Sequence, residues 1–167
     1  MRLILINGQP GTGKTSVSKK LLSELGNSAY FDADVLVATN PWEFGGSTNT
    51  LMIKNAVSLV SNFSKSGFQN IIISGLTRNQ EILDKFLEQL NKTPDTLFVW
   101  LHASKEIRMA RKKERGRDGA DENKYFDFVD ELIPDIETIE LKDGHSILID
   151  TSTKTIESIV KQIKGAM

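Results

Sequence analysis

Cysteine is missing from this chain of 167 residues. Its absence excludes disulfides, cysteine-bound zinc and thiol catalysis. Histidine is scarce, and two such residues cannot build a histidine-rich metal site. Long apolar runs are missing too. The N-terminal run, Leu3 to Ile6, is too short for a signal peptide, and no segment approaches a membrane span. A charge excess is also lacking. The net charge of −1 gives no global positive field to recruit nucleic acid. These absences predict one cytoplasmic domain over residues 1–167, as monomer or homodimer, with neither nucleic acid nor membrane as partner.

What is present is concentrated in Gly8-Gln9-Pro10-Gly11-Thr12-Gly13-Lys14-Thr15. The stretch fits G-x-x-x-x-G-K-[ST], a phosphate-binding P-loop. Glycines permit torsions that a Cβ forbids and let the main chain approach a phosphate closely. Consecutive N–H groups then face anionic oxygens at the positive end of a helix. Lys14 supplies a mobile cation for β- and γ-phosphates, and the Thr15 hydroxyl suits Mg²⁺. The context agrees. Leu3 to Ile6 reads as a buried strand before the loop, and Val17, Leu21, Leu22 and Leu25 recur at helical spacing after it. The nucleotide-binding set is thus Gly8, Pro10, Gly11, Thr12, Gly13, Lys14, Thr15 and Ser16.

Further strands are expected at 29–31, 70–73, 97–101 and 146–149, with helices between them. Asp32 and Asp34 follow the second strand, at the edge where ligands sit in open α/β sheets. Two apart on an extended segment, they point the same way. They could hold Mg²⁺ or its water ligands, or take a proton from a substrate hydroxyl; capping the next helix is the plainer role. Residues 39–46 read as a loop, and its Trp42 and Phe44 suit a substrate pocket. Ser74 stands at the end of the third strand, where many P-loop enzymes carry a metal-holding aspartate. Arg78 lies just beyond, at the ligand edge. Ser104 is placed to cap a helix with Arg108, Arg111 and Arg115 on one face, which suits phosphate oxygens and adenine stacking. A solvated basic face is the bland alternative. Five apolar strands separated by helices predict a doubly wound α/β fold.

Several of these patterns together resemble the small P-loop kinases, the group of shikimate, gluconate and adenylate kinases. The pattern is most similar to the chloramphenicol phosphotransferase-like branch. The matching residues are the P-loop, the strand-end Asp34, the Arg111-x-x-x-Arg115-Gly116 segment and Ile149-Asp150-Thr151-Ser152. The resemblance implies a five-stranded parallel sheet of order 2-3-1-4-5 and an arginine-rich lid over about residues 104–121. It implies Asp34 as the base facing an acceptor hydroxyl, Lys14, Arg111 and Arg115 acting on the transferring phosphoryl group, and Asp150, Thr151 and Ser152 bordering adenine. ATP and Mg²⁺ would be cofactors, with Thr15, Asp32 and Asp34 on the metal side. Asp34, Trp42, Phe44 and Arg78 would face a small-molecule acceptor. Two other functions fit the motifs: a nucleotide kinase, and an accessory ATPase without an acceptor. The segment 36–46 matches no acceptor signature, so the acceptor stays open.

Overall fold

The apolar runs form the strands that their patterning predicts. The structure is a computed structural model; it describes residues 1–41, 45–90, 94–115, 128, 130–133 and 139–167, with Arg115 described by its backbone alone. The strands are β1 (Arg2–Gly8), β2 (Ser28–Asp32), β3 (Asn70–Ser74), β4 (Asp95–His102) and β5 (Gly144–Asp150). The helices are α1 (Lys14–Glu24), α2 (Gly46–Lys65), α3 (Gln80–Glu88), α4 (Lys105–Arg115) and α5 (Ile156–Gly165).

All pairings are parallel, and the order is β2-β3-β1-β4-β5, as the resemblance implies. A central parallel strand is covered on both faces, which is why β1 is a continuous apolar run. Leu3, Ile4, Leu5 and Ile6 are all fully buried. Their alternation divides the core. Leu3 and Leu5 join Ile71, Ile73, Phe98 and Trp100 under α2 and α3, through Met52, Ile53, Ala56, Val60, Leu83 and Phe86. Ile4 and Ile6 join Ile72, Leu97, Val99 and Leu101 under α1 and α5, through Val17, Leu21, Ile159, Val160 and Ile163. Truncating a side chain in either layer, such as Leu21→Ala, costs about 2–5 kcal/mol.

Caps explain where two helices start. Asn79 accepts a hydrogen bond from Ile82 N at 3.1 Å before α3, and Thr155 accepts one from Ser158 N at 3.2 Å before α5. Two boundaries differ from expectation. The helix that Asp32 or Asp34 is placed to cap is a single 3-10 turn, Ala33–Val35, and α2 begins at Gly46, at the end of the segment read as a loop. Parallel register brings the strand ends to one edge. Asp32 lies beside Ser74, Asn7 beside Trp100, and His102 beside Asp150.

Candidate active site

The P-loop joins β1 to α1 along this edge. Gly11, at φ 86°, lies so close to α4 that a Cβ would come within 2.9 Å of the Arg108 Cβ. The loop is tied down from several sides. The Thr12 side chain turns inward and donates to Gln9 O at 2.8 Å. Gln9 Nε2 donates to Ile133 O at 3.0 Å. The space above Gly13 is open, with nothing within 4 Å of an ideal Cβ. There the first turn of α1 leaves backbone N–H groups for an anion. Lys14 Nζ folds over the loop and donates to Gly8 O and Gln9 O at 2.9 and 3.2 Å. Thr15 and Ser16 are exposed at the mouth.

A cleft of about 370 Å³ opens in front of the loop. Its walls include Gly8, Pro10, Gly11, Gly13, Lys14, Thr15, Asp34 and Arg78, all expected at the site. Asp32 is held at its margin. It accepts from Thr15 Oγ1 at 3.0 Å, from Tyr30 OH at 3.2 Å and from Asp34 N at 3.1 Å. The last bond makes Asp32 the cap of the 3-10 turn, so the capping role and the ligand-edge position coincide in one residue. The same turn aims Asp34 across the strand ends. Gly75, at φ 73°, lets this happen, since a Cβ there would sit 3.1 Å from Asp34 Oδ1. Asp34 is open to solvent on one side, yet the cleft wall strips enough water to push its carboxyl pKa up. Lys14 pulls it back down, Asp32 pushes it further up, and Arg78 pulls it down.

Thr15 and Asp32 fit a magnesium site. A hydroxyl and a carboxylate oxygen 3.0 Å apart are hard oxygen donors. Mg²⁺ takes one or two such groups and completes its shell with phosphates and water. Among the described residues no group of three or more His, Asp or Glu could hold a metal alone.

Other expected residues sit elsewhere. Arg111 is outside the cleft lining, and its Nη1 and Nη2 donate to Thr151 Oγ1 and O at 3.0 and 2.6 Å. Thr151 in turn lies 3.2 Å from Thr12 O, through its hydroxyl. Asp150 accepts from Ser152 N at 2.8 Å, and bonds from Ser152 hold its carboxyl below the usual range. Arg111, Asp150, Thr151 and Ser152 therefore gather at the ends of β4 and β5. Trp42, Phe44 and residues 116–121 of the expected lid lie outside the described residues, as does the Arg115 side chain.

Several residues of the site escape the sequence reading, five polar or aromatic ones among them. Asn7, Thr77, Trp100 and Lys112 line the cleft. Tyr30 links Ser74 to Asp32, with its OH 3.1 Å from Ser74 Oγ. Burial and the Asp32 charge push its phenol pKa up, while Ser74 pulls it down. The phenol thus stays a donor. Tyr30 and Asp32 alternate on one face of β2, and Asn7 is a polar residue directly after an apolar run. Both were signals available in the sequence.

Known proteins share this architecture. A sugar kinase from a Janibacter species matches 99% of the chain, itself covered to 94%, with TM-score 0.74 at 16% identity. A gluconokinase from Sinorhizobium meliloti matches 98%, itself covered to 89%, with TM-score 0.71 at 15% identity. A Pyrococcus furiosus protein named "Putative adenylate kinase" is 29% identical over an alignment that covers 96% of this chain and 81% of that one. Residues 4–130 match the family model described as an AAA domain, and the chain belongs to that family, with the fold of the small P-loop kinases.

Proposed function

We propose that this protein is an ATP-dependent phosphotransferase acting on a hydroxyl group of a small molecule. One observation carries the reading: the Asp34 carboxyl and the P-loop lysine line the same cleft. A carboxylate there can orient an acceptor hydroxyl and take its proton as the new bond forms. Lys14 would leave Gly8 O and Gln9 O for the β- and γ-phosphates, and so offset charge on the transferring group. Thr15 and Asp32 would hold Mg²⁺, which when bound neutralises phosphate charge. Arg111, fixed beside Thr151, would lie against adenine, with Asp150 and Ser152 bordering it. Arg115 would reach the phosphates from the segment 104–121, acting as a lid. The whole chain would form one domain.

Nucleotide-kinase activity is the second reading. Arg78 and Lys112 line the cleft, and cations there suit a phosphorylated acceptor. The relative named as an adenylate kinase favours it as well. Coupled ADP release separates the two. D-Gluconate, D-glucose, D-ribose, adenosine and AMP would each be tested as acceptor. Saturable turnover of one of the first four is expected. Efficient turnover of AMP alone overturns the hydroxyl reading, and ATP hydrolysis indifferent to every compound overturns the phosphotransferase reading.

A further inference from the structure

The cleft floor contains two polar side chains that the chemistry at Asp34 does not use. Asn7 is the penultimate residue of β1, and Thr77 lies in the turn after β3. They are 1% and 2% exposed. Asn7 Oδ1 accepts from Thr77 N at 3.1 Å. That bond fixes the amide: its oxygen must face the N–H, so its nitrogen is left as a donor. Among the described residues, Asn7 Nδ2 and Thr77 Oγ1 have no hydrogen-bond partner. Buried polar atoms are paired in most folded proteins, because an unpaired one costs stability. Two unpaired atoms lie in side chains that are bonded to each other and belong to residues lining one cleft, so a ligand group that enters the cleft floor between them would find a donor and an acceptor unspent.

We propose that Asn7 and Thr77 form an acceptor subsite, binding a second hydroxyl of a polyhydroxylated molecule whose reacting hydroxyl lies at Asp34. This inference rests on the phosphotransferase reading. A hydroxyl can accept from Asn7 Nδ2 and also donate to Thr77 Oγ1, so it satisfies both atoms at once. The pair carries no charge, which suits a neutral group better than a phosphate. The two groups are neighbours in the fold as well: the Asp34 carboxyl rests on Gly75, and Thr77 is two residues further, with at most about 7 Å between the Gly75 and Thr77 Cα atoms. One polyhydroxylated molecule can reach both. Met52, Trp100 and Ile133 complete the surroundings with apolar surface for the C–H face of the same molecule.

The test uses Thr77→Val, which removes the hydroxyl at nearly constant shape, and Asn7→Asp, which keeps an oxygen for Thr77 N but removes the donor. D-Gluconate, D-glucose, D-ribose and adenosine serve as probes in the ADP-release assay. For a probe that the wild type turns over, KM for it should rise about tenfold or more in each variant, on the scale of one lost hydrogen bond to a buried group. For Thr77→Val, KM for ATP should change less than twofold, and Thr77→Ser should keep the acceptor KM near that of wild type. Thr77→Val should melt no lower than wild type without ligand, because its hydroxyl has no partner to lose among the described residues. If Asn7→Asp does not fold, Thr77→Val decides alone. An unchanged acceptor KM, or a lowered melting temperature for Thr77→Val, overturns this inference while leaving the phosphotransferase reading intact. Wild-type protein that turns over none of these probes overturns the hydroxyl reading and this inference with it.

Discussion

Arg108 grips Asp130 with both terminal guanidinium nitrogens, at 2.8 and 2.9 Å, directly behind the P-loop. The arginine is almost wholly buried, and its Nη1 and Nε also donate to Pro10 O and Ala103 O at 3.2 and 3.1 Å. Removing one partner of a buried pair leaves the other charge uncompensated. Asp130→Asn should therefore destabilise the fold by about 3–5 kcal/mol, read from urea unfolding. Arg108→Lys should not rescue it, because an ammonium cannot make the two-pronged contact. A loss below 1 kcal/mol in both variants would show that the pair does not brace the loop.

Lys14→Ala should abolish most phosphoryl transfer and leave the fold intact. The lysine touches loop carbonyls and faces the cleft. Loss of a cation on the transferring group costs about 10²-fold or more in turnover. Circular dichroism beside the kinetics checks both halves. Turnover within a few-fold of wild type would remove the lysine from the mechanism.

Asp32→Asn should raise the Mg²⁺ concentration needed for half-maximal activity, with little change at saturating metal. Tyr30→Phe should do the same more weakly, since it removes only one of the bonds aiming Asp32. A magnesium titration of each variant measures this. Identical titration curves would leave Asp32 as a turn cap and nothing more.

The acid limb of acceptor turnover should lie above the ordinary aspartate range. Desolvation raises the Asp34 pKa, and a base works only when deprotonated. Arg78→Leu removes one of the charges that lower it, so the limb should move further up. Stability should respond with the matching sign. A folded pKa above the unfolded one means stability is lost as pH rises through the folded value. Asp34→Asn should accordingly raise the melting temperature at neutral pH, and the gain should shrink in acid. A pH–rate profile for wild type and Arg78→Leu with the same limb would contradict this.

The fold was legible because its signals are local. Apolar runs ending at glycines and polar pairs gave five strands, and the P-loop pattern fixed which edge binds phosphate. Asp32 and Asp34 were legible for the same reason, being neighbours in sequence at a strand end. Tertiary contacts were not. Arg108 shares its helical face with Arg111 and Arg115, yet Arg108 is buried against Asp130, a partner 22 residues away. Lys112 reaches the cleft wall only because α4 is laid across the P-loop. Thr77 gives no sign of importance until β1 and β3 pair, which brings Asn7 beside it.

Trp100 gives the molecule its own optical reporter. It is buried at the cleft wall, stacked on Phe98 with ring centroids 6.3 Å apart. The chain has only one other tryptophan, Trp42. In a Trp42→Phe background the remaining indole emission comes from the wall of the site alone. A small molecule that settles against it changes the local polarity, and hence the emission maximum and intensity. Unlabelled protein can then be screened by fluorescence for compounds that occupy the pocket, including those that are never turned over.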